Sequence, residues 1–324
     1  MIARVSERAV PVEEFAADVN YYLSLQPRQL PSRYFYDDLG SALFEAICRL
    51  PWYRITRAET RLLAAHGGAI LARSGVSTIV ELGPGSGEKM AALVDAGRSG
   101  PAHRVHLDLR LVDISPSALE LASRTLAALP DVSIATYQGR YETGLQQASA
   151  EARAGRELVL FLGSNIGNFD RPGADAFLRG VRAGMTGGDM LLLGADLVKP
   201  ERDLVLAYDD PLGVTAAFNR NLLVRINREL GGAFDVDAFS HRAVWVEAES
   251  RVEMHLVSRG RQHVRVDAAG VDFVIENGES IWTESSYKYT TARIALALQR
   301  AGFGLVEQWT DETDGFALTL AEAR

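Results

Sequence analysis

Cysteine is nearly absent from this chain: Cys48 is the only one in 324 residues. This excludes an intramolecular disulfide and a metal site built from several cysteines. Long apolar runs are missing too, since no stretch approaches the roughly 20 residues that a transmembrane helix needs. The first residues, Met1 to Arg4, carry an early charge and no apolar core, so no secretory signal is expected. These absences predict a cytoplasmic protein without a membrane partner.

The chain also lacks an excess of positive charge. Its net charge is −8 and its isoelectric point is near 5.4, which disfavours nucleic acid as a partner. With 47% hydrophobic and 23% charged residues, the composition is that of an ordinary globular protein. The length allows one large domain or a core domain with an elaboration, and we expect a monomer.

The most informative segment that is present is Ile79–Gly87, which reads IVELGPGSG. Its spacing excludes the dinucleotide fingerprint, whose third glycine comes one position later, and Walker A, which closes with G-K-S/T. The remaining E-x-G-x-G-x-G pattern is typical of Rossmann-like, S-adenosylmethionine-dependent methyltransferases. Main-chain groups of Gly83 and Gly85 would then contact the methionine or ribose part, with Lys89 opening the next helix. The alternative is a tight strand–helix turn that binds nothing.

From Thr78 onward, apolar β-rich segments alternate with helical ones. The predicted strands are Thr78–Leu82, Val105–Val112, Val132–Tyr137, Leu158–Gly163 and Asp189–Ala195, and the predicted helices are Lys89–Ala96, Pro116–Ala128, Gly144–Ala154 and Ala174–Ala183. This alternation predicts a parallel sheet with right-handed crossovers. Phe303–Thr310 and Gly315–Ala321 predict a C-terminal antiparallel hairpin. We therefore predict an α/β protein with the class I Rossmann-like methyltransferase fold.

Two further regions accompany this core. Residues 1–60 are predicted to be mainly helical and to help cover substrate and cofactor, while residues 61–200 and 285–324 form the Rossmann-like domain. Residues 201–284 would be an inserted, smaller α/β substrate-binding unit. Within it, a helix interrupted at Asp210-Pro211 is expected over Tyr208–Leu230, and strands are expected between 241 and 280. A helix is predicted again over Thr283–Ala301.

Several side chains lie at or near predicted strands. Asp113 can accept both ribose hydroxyls at its strand end, or it can cap the next helix, a role that Ser115 can equally take. Tyr141 can stack on an adenine or lie in an exposed turn. Asn168 offers donors and an acceptor for a carboxylate or an amine, but an asparagine-rich turn explains it as well. Met254 can be strand packing or pocket wall.

Glu284 and Ser286 lie where the predicted C-terminal helix begins. They can belong to its capped first turn, with Glu284 favoured by the helix dipole. Alternatively, they point into a cleft and grip a polar, cationic or imidazole-bearing substrate.

Histidine is the remaining candidate for a metal ligand. His103, His106 and Asp108 lie together at the entry end of a predicted strand, away from the ligand edge. They are therefore interpreted as surface polar residues, and no metal site is expected.

Seven short motifs together narrow the resemblance from a broad class of proteins to one family. They are Tyr34–Phe44 (YFYDDLGSALF), Arg49–Tyr53 (RLPWY), Thr56–Glu59 (TRAE), Gly163–Asn168 (GSNIGN), Ala207–Asp210 (AYDD), Phe218–Asn221 (FNRN) and Thr283–Tyr289 (TESSYKY). With them, the chain resembles the L-histidine Nα-methyltransferases of ergothioneine biosynthesis from about residue 30 to its end. Several of the motifs lie outside the shared cofactor fold.

The resemblance implies roles for particular residues. The cofactor contacts, including those expected from the loop and strand ends, are Tyr36, Phe44, Gly83, Gly85, Lys89, Asp113 and Tyr141. The substrate pocket is Tyr53, Asn168, Tyr208, Met254, Glu284 and Ser286. In this pocket the asparagine and the tyrosines would hold the carboxylate and amine of histidine, and Glu284 and Ser286 its imidazole. Tyr53 and Asn168 are the predicted catalytic residues.

The resemblance also implies an activity. The methyl donor would be S-adenosylmethionine, with S-adenosylhomocysteine as product, and a small amino acid would be the partner. The implied reaction is Nα-trimethylation of L-histidine to hercynine, the first step of ergothioneine biosynthesis. Two alternatives stay open: an N-methyltransferase for another aromatic amino acid such as tryptophan, and a non-catalytic protein that only binds S-adenosylmethionine.

Overall fold

The computed structural model of the protein describes residues 3–5, 12–98, 106–151 and 155–324. The chain divides into two units. The first unit consists of Ile55–Val198 and Lys288–Arg324 together with a short N-terminal strand. The second unit consists of Lys199–Tyr287 and the described part of Ala9–Arg54.

The described residues form the following elements. The helices are α1 Val12–Ser24, α2 Asp38–Cys48, α3 Ile55–Ser74, α4 Glu88–Arg98, α5 Pro116–Leu126, α6 Tyr141–Ala150, α7 Arg171–Ala183, α8 Glu201–Tyr208, α9 Val214–Leu230 and α10 Thr291–Arg300. The strands are β1 Ala3–Val5, β2 Arg28–Gln29, β3 Thr78–Leu82, β4 Leu107–Asp113, β5 Val132–Gln138, β6 Glu157–Phe161, β7 Met190–Asp196, β8 Phe239–Val246, β9 Arg251–Ser258, β10 Gln262–Val266, β11 Val271–Ile275, β12 Ser280–Tyr287, β13 Phe303–Asp311 and β14 Phe316–Ala323. No helix among these combines the length and the hydrophobicity needed to span a bilayer.

A single sheet organises the first unit. Its described strands run in the order β1-β5-β4-β3-β6-β7-β14-β13. Strands β5, β4, β3, β6 and β7 are parallel, whereas β14 is antiparallel to both β7 and β13. The strand order reverses at β3, and α/β sheets bind ligands at such a switch point. The predicted class I methyltransferase fold with its final hairpin is confirmed.

Burial explains why these segments form central strands. Strands β3 and β6 are buried along their whole length, as expected for parallel strands covered by helices on both faces. Helix α7 begins at Arg171, three residues before the predicted start, because the Asp170 side chain caps it by accepting from the N–H of Gly173. The predicted strand start at Val105 and helix end at Ala154 lie outside the described residues.

The second unit is built mainly on antiparallel strands, although the short β2 pairs with β12 in parallel. One sheet has the order β2-β12-β9-β8, and β10 pairs with β11 in a separate hairpin. The predicted helix from Tyr208 to Leu230 is interrupted as expected. Helix α8 ends at Tyr208, and the carboxylate of Asp210 accepts from the N–H groups of Val214 and Thr215 at the start of α9.

The helix predicted over Thr283–Ala301 is wrong in its first half. Residues Ser280–Tyr287 form strand β12, and helix α10 begins at Thr291 after the cap Thr290. Serine and threonine suit a helix cap, but threonine, tryptophan and tyrosine also favour strands. Here the pairing of the segment with β9 makes it a strand. Glu284 and Ser286 therefore do not belong to a helix start.

Candidate active site

The glycine loop of the first unit joins β3 to α4 at the carboxyl edge of the sheet. Gly83, Gly85 and Gly87 have φ angles of +75°, +54° and +79°, a region that L side chains rarely adopt. A Cβ on Gly83 would lie 3.0 Å from the Tyr141 hydroxyl and 3.2 Å from Nδ2 of Asn165. The loop therefore needs its glycines for conformation, and Gly83 also because the Tyr141 hydroxyl and the Asn165 amide leave too little room for a Cβ.

Asp113 stands at the end of β4, next to this loop. Its Oδ1 accepts from the N–H of Ser115 at 2.8 Å, whereas the Ser115 hydroxyl caps α5 by accepting from the N–H of Ala118. Burial raises the pKa of Asp113 to about 6, although the N–H groups of Ser115 and Ile114 oppose this. The cap of α5 is thus Ser115, and Asp113 is an ionisable acceptor at the strand end.

Tyr141 begins α6 beside the glycine loop. Its ring packs edge-on against Phe161 and Phe177, with centroids 5.4 and 5.9 Å apart. Burial raises the pKa of Tyr141, and the charge of Asp113 adds to the effect. The exposed-turn alternative for this residue is therefore wrong.

An ion pair lies beside the loop. Nζ of Lys89 is 2.8 Å from Oε2 of Glu59, whose side chain is fully buried. Glu59 also accepts from the N–H of Gly163 at 2.9 Å, and a Cβ on Gly163 would lie 2.8 Å from the Lys89 amine. Sequence reasoning assigned Glu59 no role, although the residue belongs to the TRAE motif. It holds together Lys89 and the turn after β6.

Glu81 is the acidic residue of the E-x-G-x-G-x-G pattern and is 1% exposed. Burial raises its pKa to about 8; Lys89 lowers the pKa, while Glu59 and Asp113 raise it further. Among the described residues, its Oε2 has no hydrogen-bond partner. Glu81 is therefore mostly protonated at neutral pH, which leaves Glu59 as the carboxylate that balances Lys89.

The chain turns sharply after β6. Gly163 and Ser164 have φ angles of +76° and +60°, and the Ser164 hydroxyl accepts from the N–H of Asp196 at 2.9 Å. A left-handed serine is strained, and such strain is common at functional sites. Asn168 ends the following turn of 3-10 helix, and its side chain is exposed.

In the second unit, four predicted aromatic residues form a chain of ring contacts. Ring centroids are 5.6 Å apart for Tyr36 and Phe44, 6.2 Å for Phe44 and Tyr53, and 6.3 Å for Tyr53 and Tyr208. Tyr53 is 7% exposed, and burial raises its pKa well above the usual value, with smaller contributions from Tyr208 and Glu284. Tyr53 is therefore a neutral hydroxyl at physiological pH.

Strand β12 adds polar groups to this aromatic cluster. The hydroxyls of Tyr208 and Ser286 are 2.7 Å apart and hydrogen-bonded. Glu284 lies opposite Met254 on β9, and Ser286 lies opposite Val252. Directly opposed residues of antiparallel strands share a face, so Glu284, Ser286 and Met254 lie on one face of the sheet.

The predicted residues therefore fall into two groups. The second unit contains Tyr36, Phe44, Tyr53, Tyr208, Met254, Glu284 and Ser286, and the first unit contains Gly83, Gly85, Lys89, Asp113, Tyr141 and Asn168. Asn168 is thus the predicted substrate residue that the sheet edge of the first unit carries.

Helix α9 supports Phe44, one of the four aromatic residues, in two ways. The ring of Phe218 lies 6.0 Å from that of Phe44. Asn221 donates to Asp37 at 2.8 Å, and Asp37 in turn caps α2, the helix that carries Phe44. The sequence alone assigns no function to the residues of the FNRN motif. Its residues position the aromatic side chains through contacts between segments distant in the chain.

A buried polar network lies behind Tyr208. The amide of Asn219, which is 0% exposed, donates to Nδ1 of His241 at 2.9 Å and to the carbonyl of His255 at 3.3 Å. Because Nδ1 accepts, the proton of a neutral His241 is on Nε2, which donates to the carbonyl of Tyr208 at 2.7 Å. Burial lowers the pKa of His241, which favours this neutral ring. The network holds the end of α8.

The histidines outside this network have other partners. His106 is 3.1 Å from the hydroxyl of Ser133, and Asp108 pairs with Arg110 at 2.7 Å. His103 lies outside the described residues.

The sheet order, the glycine turns and the carboxylate after β4 define a Rossmann-like, S-adenosylmethionine-dependent methyltransferase. The match of the sequence to a family model identifies the family. Residues 15–323 match the family described as histidine-specific, SAM-dependent methyltransferase, and the chain belongs to it. The predicted enzyme class and methyl donor are confirmed.

Named relatives agree with this assignment. The chain is 44% identical to histidine N-alpha-methyltransferase of Mycobacterium tuberculosis, over 94% of this chain and 93% of that protein. It is 41% identical to the protein of the same name in Mycolicibacterium smegmatis, over 95% of each. The L-tryptophan methyltransferase of Psilocybe serbica is more distant, at 27% identity over 90% of this chain and 87% of that protein.

Proposed function

We propose that this protein transfers three methyl groups from S-adenosylmethionine to the α-amine of L-histidine. The product would be hercynine, formed in the first step of ergothioneine biosynthesis. Membership of the histidine-specific family supports the reaction. The observation that carries the choice of substrate is the placement of Glu284 and Ser286 on one sheet face, with the Tyr208 hydroxyl bonded to Ser286.

The first unit has the groups that S-adenosylmethionine requires. This cofactor supplies a methyl group bonded to a sulfonium. Gly83 and Gly85 turn the main chain at the sheet edge with positive φ angles, and their main-chain groups would contact the methionine or ribose part. Asp113, once ionised, would accept from the ribose hydroxyls. Lys89, balanced by Glu59, offers a cation for the methionyl carboxylate.

Three aromatic residues complete the proposed cofactor contacts. The Tyr141 hydroxyl lies beside Gly83, and the ring of this tyrosine is proposed to contact the adenine. Tyr36 and Phe44, which pack edge-on in the second unit, are proposed as further contacts.

The second unit has the groups that an imidazole requires. Glu284 would accept an imidazole N–H, and the Ser286 hydroxyl can donate to or accept from the other ring nitrogen. Met254 supplies an apolar surface opposite Glu284. Tyr53, Tyr208 and Asn168 are proposed to hold the amine and carboxylate. We therefore propose the second unit as the substrate-binding part of the chain.

The chemistry fits these residue types. Methyl transfer from a sulfonium to an amine is an in-line displacement that needs positioning more than strong acid–base catalysis. The raised pKa of Tyr53 keeps its hydroxyl protonated, so it would orient the amine and not act as a base. Tyrosine rings stabilise an alkylammonium by about 0.5–2 kcal/mol each. Each methyl group takes the place of one ammonium N–H, whose proton is released to solvent before the transfer. The carboxylate and imidazole must therefore anchor the substrate throughout.

The test is direct. The purified protein is incubated with L-histidine and S-adenosylmethionine, and mono-, di- and trimethylated histidine are followed by mass spectrometry. Tryptophan is added as a competitor, because an indole lacks the second ring nitrogen that Ser286 would bind. Folded protein that adds no methyl group to histidine rejects the proposal, and preferential methylation of tryptophan replaces it with the aromatic alternative.

A monomeric, cytoplasmic enzyme belongs to the same proposal. Light scattering coupled to size-exclusion chromatography measures the first property, and cell fractionation measures the second. A stable dimer or a membrane-bound fraction would contradict it.

A further inference from the structure

Strand β12 contains a β-bulge at Thr283. The opposed pairs on β9 change from Trp282–His255 to Glu284–Met254, so Thr283 is an extra residue. Side chains alternate between the two faces of a strand, and one extra residue moves every following side chain to the opposite face.

Without the bulge, the polar groups of β12 would face the other side of the sheet. The uninterrupted register would oppose Glu284 to Glu253 and Ser286 to Arg251, as the pairs before the bulge show. Two like charges opposed across a strand pair repel each other. The buried face of β9, which includes Met254, would then receive neither side chain. The extra residue is what brings Glu284 and Ser286 to the face of Met254.

Polar contacts hold Thr283 in the bulge. Its hydroxyl is 2.7 Å from Oδ1 of Asn219 and 3.0 Å from the carbonyl oxygen of Met254, both of which accept. Thr283 is 1% exposed and Asn219 is 0% exposed, so solvent does not readily replace this donor. The indole N–H of Trp282, just before the bulge, donates to the carbonyl of Glu284, just after it, at 2.8 Å.

We propose that Thr283 is a specificity-determining positioning residue: fixed by Asn219, it maintains the bulge that aims Glu284 and Ser286 at the imidazole. This inference rests on the proposed methylation of histidine and deepens it. Thr283 acts through the register of β12, and Trp282 reinforces the same geometry.

The decisive variant is Thr283→Val, which removes the hydroxyl and keeps the size and branching of the side chain. We expect the KM for L-histidine to rise by about 10- to 100-fold, because the buried acceptors lose their donor and Glu284 is no longer held in place. The kcat should change much less. The Kd for S-adenosylhomocysteine should stay unchanged, because Thr283 is not among the proposed cofactor contacts.

Phenylalanine as a competitor distinguishes a loss of imidazole recognition from a general loss of amino-acid binding. It has the amine and carboxylate of histidine but no ring nitrogen, so its Ki as a competitor does not depend on Glu284. We expect this Ki to change less than about threefold in Thr283→Val. Thr283→Ser keeps the hydroxyl and should restore the histidine KM.

Two further variants sharpen the test. Trp282→Phe removes only the indole N–H and should raise the histidine KM in the same direction by a smaller factor. Ser240→Ala is the matched control, because that hydroxyl bonds the carbonyl of Val257 in the same sheet away from the bulge. It should leave the histidine KM unchanged.

Several outcomes would overturn the inference. An unchanged histidine KM in Thr283→Val, or an equal loss for histidine and phenylalanine, rejects the positioning role. If Thr283→Val does not fold, Thr283→Ala takes its place; if both unfold while Thr283→Ser folds, the hydroxyl is purely structural and the inference fails. A wild-type protein that does not methylate histidine rejects the proposed function itself.

Discussion

The two units prepare their ligand contacts with different parts of the polypeptide. In the first unit the main chain dominates: Gly83, Gly85 and Gly163 adopt left-handed φ angles in the turns that follow β3 and β6. In the second unit side chains dominate. They are held by hydrogen bonds between residues far apart in sequence, 64 positions for Thr283 with Asn219 and 78 for Tyr208 with Ser286.

This difference predicts how the two units respond to substitution. Changes at Asp113 or at the Glu59–Lys89 pair of the first unit should alter affinity for the methyl donor and leave the amino acid unaffected. Changes at Tyr208, Glu284 or Ser286 of the second unit should alter the choice and affinity of the amino acid. Three substitutions test this separation, and a fourth tests the hydrogen bonds that support the side chains of the second unit.

The largest effect is expected for Asp113→Asn. In the proposed function the ionised carboxylate accepts from the ribose hydroxyls, so we expect the Kd for S-adenosylhomocysteine to rise by about 100-fold. In the wild type, with the pKa of Asp113 raised to about 6, affinity should be full above that pH and fall by up to about tenfold per unit below it. Calorimetry between pH 5 and pH 8 measures both.

The variant and a control decide whether Asp113 is the titrating group. Asp113→Asn should flatten the pH profile, whereas Ser115→Ala, which removes only the cap of α5, should keep it. A pH profile that persists in Asp113→Asn contradicts the prediction.

The next effect is expected for Glu59→Gln. Removing the charge leaves Lys89 without its buried partner, so the lysine would bind the methionyl carboxylate in a poorer position. We expect the Kd for S-adenosylmethionine to rise by about 10- to 50-fold. Decarboxylated S-adenosylmethionine lacks that carboxylate, so its Kd should hardly change. An equal loss for both compounds would mean that Glu59 supports the whole loop and not Lys89 in particular.

A smaller effect is expected for Tyr208→Phe. The variant removes the hydrogen bond to Ser286, which is worth about 1 kcal/mol, and should raise the histidine KM by about fivefold. Binding of S-adenosylhomocysteine should not change. The double variant with Ser286→Ala should be less than additive, because the two residues share one contact. Full additivity would show that the bond does not contribute to substrate binding.

The smallest effect is expected for Asp37→Ser, measured as the free energy of unfolding. Serine can still cap α2 but loses the bonds to Asn221 and Arg228, and because Arg228 is half exposed, the loss should be about 0.5–1 kcal/mol. Burial tends to raise the pKa of Asp37, but Arg228, the N–H of Gly40 and Asn221 lower it on balance. Its stabilisation is therefore present above about pH 4 and should vanish as the pH falls further. A difference between Asp37→Ser and wild type that persists at pH 2 would contradict this.

The sequence predicted the first unit well because its signals are local. The strand before the loop, the three glycines and Asp113 each follow from short patterns, and β3 has the predicted bounds. Glu59 received no role because its partners Lys89 and Gly163 lie 30 and 104 positions away, and no local pattern shows such a pairing.

The second unit was predicted less well, and β12 shows why. Thr283, Glu284 and Ser286 have the composition of a helix start, so local propensity favoured a capped helix. The pairing with β9 overrode it. Likewise, the residues of α9 were recognisable as a motif, but Asn219 acquires its role only from Thr283 and His241. For Asn168, Glu284 and Ser286 the local pattern left a substrate role open beside a purely structural one, and only the resemblance to a family decided between them.

Because of the bulge at Thr283, the choice of substrate depends on whether the number of residues before Glu284 in β12 is odd or even. Inserting or deleting one residue near the start of β12 would exchange its two faces, and Glu284 would leave the pocket although every pocket residue remained in the chain. Two such changes would restore it. A related protein could therefore lose or regain its preference for an imidazole through one insertion or deletion in β12. A comparison of the pocket residues alone would not reveal this change.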